Sequence, residues 1–462
     1  MNNIFYDLIT SWTTIKGINS NKDILKWISN QNKNLQVKID RICLEESEFW
    51  FYDKNSGSIV NKNKSFFSIC GIKQYQNGSL LVEQPIIIQN EIGLLGIICK
   101  KVNGVLHFLM QAKIEPGNIN KIQLSPTIQA TKSNFTQKHG GKKPLFLEYF
   151  INAKSNQTLV DQIQSEQSSR FLKKRNRNVI LIIDEHINEP ETHRWMTLGQ
   201  IKELMRYDNI VNMDTRTVLS CIPFALMNTI GGELKCVENK CKDITLLHSL
   251  TGCADHNVLT EIFQTFNNYK MFSDIEIKLI DLYSLKHWHM ENKAFVCNYP
   301  YPFRIIFCNI SIEGREVTQW TQPLFEATGI ATFGLICCVD EGIKKFLVHA
   351  KAEIGCFDGI ELGPTIQQEA IHYEDNNEII NLFYNKLSQR EGIIIDVLLS
   401  EEGGRFYHEQ NRNIIIEVEK SELPLDLPKG YFWSDYKTLN TLTQVNNCLN
   451  IQLRNLLSLL EV

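Results

Sequence analysis

Two short strings hold the residues best suited to chemistry. In HFLMQAKIEPG, Lys113 and Glu115 stand two apart on a predicted strand, which puts a cation and a carboxylate on one face and Ala112 and Ile114 on the other. VHAKAEIG repeats the arrangement with His349, Lys351 and Glu353. A lysine and a carboxylate converging on one concave face suit an anionic, enolisable substrate: the carboxylate takes a proton and the ammonium steadies the charge that results. A solvated ion pair across a strand uses the same residues. What favours chemistry is the recurrence, followed each time by Gly and then by Pro-Thr-Ile-Gln.

Further polar groups surround each pair. Gln123, Thr127 and Gln129 follow the first, and ATKSNFTQKHGG adds Thr131, Asn134 and His139 as donors; Glu361, Thr365 and Gln367 follow the second. Arg175, Asn176 and Arg177 precede an apolar strand, and Arg412 and Asn413 repeat part of the run. Such forked donors suit a diphosphate, and a charged strand start uses them equally. Asn212, Asp214 and Arg216 lie at spacing two, with Asp214 facing Gln452 when the copies are aligned, so that acid occurs in the first copy alone. His349, opposite Gln111, occurs in the second alone. Trp195, Trp288, Trp320 and Trp433 are candidates to stack on a base or sugar, in competition with plain core packing. Gln322, Arg405 and Tyr407 complete the second candidate pocket.

These residues are positioned by a duplication. GIICKKVNGVLHFLMQAKIEPGNINKIQLSPTIQ from Gly96 recurs without a gap as GLICCVDEGIKKFLVHAKAEIGCFDGIELGPTIQ from Gly334. The same offset pairs Trp50 with Trp288, Trp195 with Trp433 and Arg216 with Arg454, and SEQSSRF from Ser165 matches SEEGGRF from Ser400 after a small length change. Two halves follow, residues 1–230 and 258–462, joined by a polar, cysteine-bearing linker over 231–257. In each half strand signals come first and helical spacing last, which predicts an α+β fold. A pseudo-twofold pairing of the copies is expected, with beads on a string as the alternative.

Composition bounds the function. The 462 residues carry 43% hydrophobic and 22% charged residues, average for a globular chain of two to four domains. Lys and Arg number 48 against 52 Asp and Glu, with no basic run, so nucleic acid is excluded as a partner. No segment is apolar enough to span a membrane, and the N-terminus lacks a signal pattern, which places the chain in the cytoplasm. Thirteen cysteines, mostly in apolar strands, read as reduced thiols. Cys236, Cys241 and Cys253, with His248 and His256, offer metal-ligating types, but the loose spacing favours a connecting loop. No P-loop, dinucleotide fingerprint or magnesium pyrophosphohydrolase box is present, so no metal and no redox cofactor is expected.

FLMQAKIEPGNINKIQLSPTIQ, SRFLKKRNRN, HRWMTLGQIKELMRYDNIVNMDTRTVLSCIP, IELGPTIQ and SEEGGRFYHEQNRN together resemble the NDP-hexose 2,3-dehydratase family over nearly the whole chain. The resemblance implies tandem Nudix-hydrolase-like modules, each with a pocket for a dTDP-linked sugar, in a homodimer with one pocket catalytic and the other a remnant. The implied reaction removes water from a 4-keto-6-deoxyhexose: a base takes the C3 proton and the C2 hydroxyl leaves. On this reading Glu115 or Asp214 is the base and Lys113 holds the enolate or a phosphate, with His349, Lys351, Glu353 and Glu361 as the rival set. A noncatalytic nucleotide-sugar-binding protein and a sugar-nucleotide epimerase or isomerase are the alternatives.

Overall fold

The computed structural model describes residues 4–132, 143–227, 231–313, 317–371 and 377–462. It explains first why strands such as Val105–Ile114 are apolar almost throughout. Phe108 and Met110 point into one core with Leu95, Ile97 and Cys99 of the strand Gly93–Val102, while Leu109 points into another with Leu94 and Ile98. A sheet covered on both faces needs apolar residues at odd and even positions alike.

That sheet has seven strands, in the order Thr158–Ser165, Arg175–Ile182, Gly93–Val102, Val105–Ile114 and His193–Thr197, with Ile122–Ser125 and Ile128–Ala130 added beside the two central strands. The second copy repeats the order with Ile393–Ser400, Gln410–Glu417, Thr332–Asp340, Ile343–Lys351 and Tyr431–Asp435, and with Glu361–Pro364 and Ile366–Gln368 as the added pair. The architecture is mixed α+β, in two repeats.

The repeats are not beads on a string, because each completes the smaller sheet of the other. Val37–Ile42 pairs antiparallel with Phe303–Ile312, Val37 opposite Ile312. Reciprocally, Ile275–Ile280 pairs with Ser68–Gln76, Ile275 opposite Gln76. The aromatic core between these sheets draws Trp50 and Phe171 from one copy and Trp288, Phe303, Phe325 and Phe406 from the other. Helices Met213–Ser220 and Ile451–Ser458, buried at every position, carry the main core across the junction.

The expected linker is corrected. Residues 231–257 hold the helices Gly231–Glu238 and Ile244–Thr251 and the first turn of His256–Phe272. Ile244–Thr251 is the counterpart of Ile4–Thr13: Ser249 Oγ donates to the Lys344 carbonyl and accepts from the Tyr436 N–H, as Ser11 Oγ does with Leu106 and Leu198. Leu246, Leu247 and Leu250 are buried in the main core. The second copy therefore starts before residue 258. Polar and cysteine residues between its apolar ones masked a helix that tertiary burial stabilises.

The tightest junction lies where each KxExG hairpin meets the other copy. The Gly117 N–H donates to the Gly403 carbonyl at 2.7 Å and its carbonyl accepts from the His408 N–H at 2.8 Å; Gly355 does the same with Ser168 and Lys173 at 2.9 and 2.8 Å. A Cβ would lie 1.6 Å from the Phe406 carbonyl oxygen at position 117 and 1.9 Å from that of Phe171 at position 355. Backbone cannot yield to a methyl there. Gly117→Ala and Gly355→Ala should each cost about 3 kcal/mol in thermal unfolding, whereas Gly252→Ala, whose Cβ would meet its nearest neighbour at 3.4 Å, should stay within about 0.5 kcal/mol of the parent. Unchanged midpoints for the first two would contradict this junction.

Candidate active site

Strand pairing builds the site floor. The alternation that carries Gln111, Lys113 and Glu115 to one face places Gln123 opposite Lys113 on the neighbouring strand and Ser125 opposite Gln111. Gln129 organises the group: its amide donates to Glu115 Oε1 at 2.9 Å, and its oxygen accepts from Ser125 Oγ at 2.9 Å and Asn212 Nδ2 at 3.2 Å. Lys113 Nζ donates to the Gln129 carbonyl at 3.2 Å and lies 3.8 Å from Glu115 Oε1. Asn212 caps the helix Met213–Ser220 by accepting the Thr215 N–H, which delivers Asp214 in the first turn. The expected cluster of Lys113, Glu115, Gln123, Gln129, Asn212 and Asp214 is thus brought together.

The other copy closes it. Gln123 exchanges hydrogen bonds with Ser400 Oγ at 2.7 and 2.9 Å. The loop that docks on Gly117 brings Glu402 and Arg405 beside Glu115, and Gln322 Nε2 holds that loop by donating to the Gly404 carbonyl at 2.7 Å, with Trp320 Nε1 donating to Gln322. Trp320, Gln322 and Arg405, expected in the second pocket, therefore serve the first. Arg405 lies over the Phe66 and Phe67 rings and donates to Gln89. Behind Glu402 stands Glu166, which accepts from Asn176 Nδ2, while Lys174 Nζ donates to Asn176 Oδ1 at 3.0 Å.

Burial dominates the electrostatics. It pushes Asp214 well above the usual carboxylate range, and Glu402, Glu166 and Glu115 push the same way against Lys113. Burial, with Glu402 beside it, holds Glu166 at about 8, and burial also raises Glu402. Several acids share too few cations, so part of the group is protonated near neutrality.

Other expected contacts go elsewhere. Arg216 and Arg454 are fully buried and clasp the junction, Arg216 donating to the Ser400 carbonyl at 2.9 Å and Arg454 to that of Ser165. Thr127 and Thr365 staple strands: each hydroxyl donates to a carbonyl, of Leu109 and Leu347, and accepts a neighbouring strand's N–H. Arg177 forms a two-pronged exposed pair with Asp161, and Arg175 lies over Phe357 at 3.8 Å, so Asn176 alone of that run reaches the cluster. Trp195 and Trp288 are core residues, 7% and 4% exposed, and Trp433 packs on the core around Tyr431. Tyr407 lies under Arg41 in the smaller sheet. Asn134 and His139 lie outside the described residues, as does the Cys236 side chain; among the described residues no three metal-ligating groups cluster.

The second pocket repeats the web. Lys351 Nζ donates to the Gln367 carbonyl at 3.1 Å, Gln367 Nε2 to Glu353 at 3.0 Å, and Asn450 Nδ2 to Gln367 at 2.8 Å. Its lent residues are Gln167 and Arg170, where the first pocket has Glu402 and Arg405. His349 is stacked on Tyr431 at 4.1 Å. A cleft of about 240 Å³ opens on Glu353 between Tyr269, Lys270, Ile275 and Ile277.

In the aligned copies Glu402 stands opposite Gln167 as Asp214 stands opposite Gln452, a signal for Glu402 that the chain order hides. Glu361 takes the place of Gln123; it is fully buried, and neither of its oxygens meets a hydrogen-bond partner. Burial pushes Glu361 to about 8 and Glu353 to about 7. An unfolded glutamate titrates near about 4.3, so across that window the folded chain binds more protons and stability falls as pH rises. Glu361→Gln, which copies Gln123, should lose less thermal stability between about pH 5 and about pH 8 than the parent does, since its share of that proton uptake is gone. A parental slope in the variant would show Glu361 to be ionised in the fold.

A family model described as NDP-hexose 2,3-dehydratase matches residues 21–222 and again residues 259–460. A dTDP-4-dehydro-6-deoxy-alpha-D-glucopyranose 2,3-dehydratase of Saccharopolyspora spinosa is 36% identical over 94% of this chain and 90% of its own length. Proteins of the same name from Amycolatopsis orientalis and Streptomyces violaceoruber are 31% and 34% identical, over 95% and 94% of this chain and 89% and 95% of their own. Two matched repeats on a duplicated fold leave one assignment: the chain belongs to the NDP-hexose 2,3-dehydratase family.

Proposed function

We propose that the pocket around Glu115 eliminates water across C2–C3 of a dTDP-linked 4-keto-6-deoxyhexose, giving the 3,4-diketo-2,6-dideoxy sugar. Membership of the family makes the chain a sugar-nucleotide lyase; the names of its relatives supply the nucleotide. The observation that carries the choice of pocket is Asp214. It is buried at 2% exposure, has no hydrogen bond to its carboxylate among the described residues, and is replaced by Gln452 in the other copy. A glutamine cannot take a proton from carbon.

The C4 ketone makes the C3 proton acidic, and Asp214 is the base that removes it. Glu115, held by Gln129, keeps Lys113 oriented, and the Lys113 ammonium stabilises the enolate oxygen. A carboxylate whose affinity for protons is raised by burial suits a base that later returns one. Electrons shift only within the substrate. The second pocket, with Glu353 and Glu361 but no counterpart of Asp214, binds without eliminating. In keeping with the family, the repeats are Nudix-like modules about a pseudo-twofold axis, the protein is a cytoplasmic homodimer, and no helix of the described residues is long and apolar enough to cross a membrane.

Paired substitutions test the assignment. Asp214→Asn should lower turnover of dTDP-4-keto-6-deoxyglucose on the order of a hundredfold or more, the scale of general-base removal, and Glu115→Gln, which frees Lys113, should lower it as well. Glu353→Gln and His349→Ala should change it only a few-fold. The reverse pattern would move catalysis to the second pocket.

A further inference from the structure

The first pocket has a base, but elimination also needs an acid, because hydroxide is a poor leaving group. Glu402 belongs to the second copy by sequence and to the first pocket by position. The point where a Cβ of Gly404 would stand lies 3.0 Å from Glu402 Oε1 and 3.6 Å from Glu115 Oε1, so the two carboxyls flank one small volume. Around them the other acids are engaged, Glu115 by Gln129 and Glu166 by Asn176. No hydrogen bond reaches the Glu402 carboxyl among the described residues, as none reaches Asp214. The Glu402 side chain is half-buried there, so its carboxyl faces both Glu115 and the open side of the pocket.

We propose that Glu402 is the general acid that protonates the C2 hydroxyl as it leaves. The proposal rests on the reading of the first pocket as the site of elimination. Asp214 takes the C3 proton, leaving the C4 enolate that Lys113 stabilises; as the C4 carbonyl re-forms, the electron pair makes the C2–C3 double bond and the C2–O bond breaks. Glu402 gives its proton to the departing oxygen, which leaves as water. The 3-hydroxy enol then loses its hydroxyl proton while C2 gains one, and the diketone results.

The loop is built to hold this acid still. Arg405, fixed by Phe66, Phe67 and Gln89, donates to the Gly404 carbonyl at 2.8 Å, which also accepts from Gln322 at 2.7 Å. The neighbouring Gly403 carbonyl is docked on Gly117. Burial, with Glu115 adding to it, keeps Glu402 protonated to higher pH than an ordinary glutamate, against the pull of Arg405. The matching residue in the other pocket, Gln167, donates its amide N–H to Glu409 at 3.4 Å and is far too weak an acid to protonate a departing hydroxyl. The pair of Asp214 and Glu402 thus occurs in the first pocket, one residue from each copy, with Gln452 and Gln167 at the matching positions of the second.

The test compares two leaving groups. Glu402→Gln is assayed on dTDP-4-keto-6-deoxyglucose and on its 2-deoxy-2-fluoro analogue, whose fluoride departs without protonation. Turnover of the hydroxyl substrate should fall on the order of a hundredfold or more, fluoride release should fall only a few-fold, and deuterium from solvent should still enter C3 of unreacted substrate. Gly404→Ala, whose methyl presses on Glu402, should show the same split in milder form if Glu402→Gln does not fold. Equal losses on both substrates, or none on the hydroxyl substrate, would overturn the role of Glu402. If instead Asp214→Asn and Glu115→Gln leave fluoride release and C3 exchange intact, the pocket assignment itself fails and the acid role falls with it.

Discussion

The structure depends on a backbone contact that leaves no room for a side chain. Gly117 and Gly355 each lay a peptide against the other copy's Ser-Glu-x-x-x-Arg-Phe loop, and that contact decides what stands beside each KxE pair. Once the hairpin is docked, the residues that follow Ser400 line the first pocket and those that follow Ser165 line the second. Exchange of Val37–Ile42 and Ile275–Ile280 between the smaller sheets, and the clasps of Arg216 and Arg454, secure the same junction from other sides. A duplicated chain has thereby become one folding unit whose two sites are each composite.

The same closeness sets the chemistry. Carboxyls from two copies meet in a space with little water, and the cations present, Lys113, Lys174 and Arg405, are largely committed to backbone or amide partners. Acids in such surroundings cannot all ionise, so they divide into donors and acceptors of protons. The second pocket has Gln167 and Gln452 in place of Glu402 and Asp214, and burial raises its own acids, Glu353, Glu361, Glu401 and Glu409.

How much of this was legible from residues alone follows a rule. What repeats between the copies is mostly scaffold: Thr127 and Thr365 staple strands, Asn212 and Asn450 cap helices, and Gly117 and Gly355 allow docking. The duplication, the α+β class and the grouping of Lys113, Glu115, Gln129 and Asp214 could be read because strand alternation and a constant offset fix them. Trp320, Gln322 and Arg405 belong to the second half of the chain yet stand at the first pocket, because strand exchange breaks the equivalence between position in the chain and position in space. Arg216 reads as a substrate-binding residue in the sequence, since a buried structural arginine and a binding one are the same letter. The helix Ile244–Thr251 hid inside a polar, cysteine-bearing stretch, its burial supplied by partners far along the chain.

In the mechanism proposed, the two differences between the copies that matter, Asp214 and Glu402, come from opposite halves. Whether they act as one unit is therefore the central question, and a double-mutant cycle answers it most directly. Residues that serve one reaction in one pocket are grossly non-additive, whereas independent sites multiply their effects. With kcat measured for Asp214→Asn, Glu402→Gln and the double variant, the double variant should be no more than a few-fold slower than the slower single one. A double variant slowed by the product of the two single losses would place Asp214 and Glu402 in separate tasks and contradict the composite pocket.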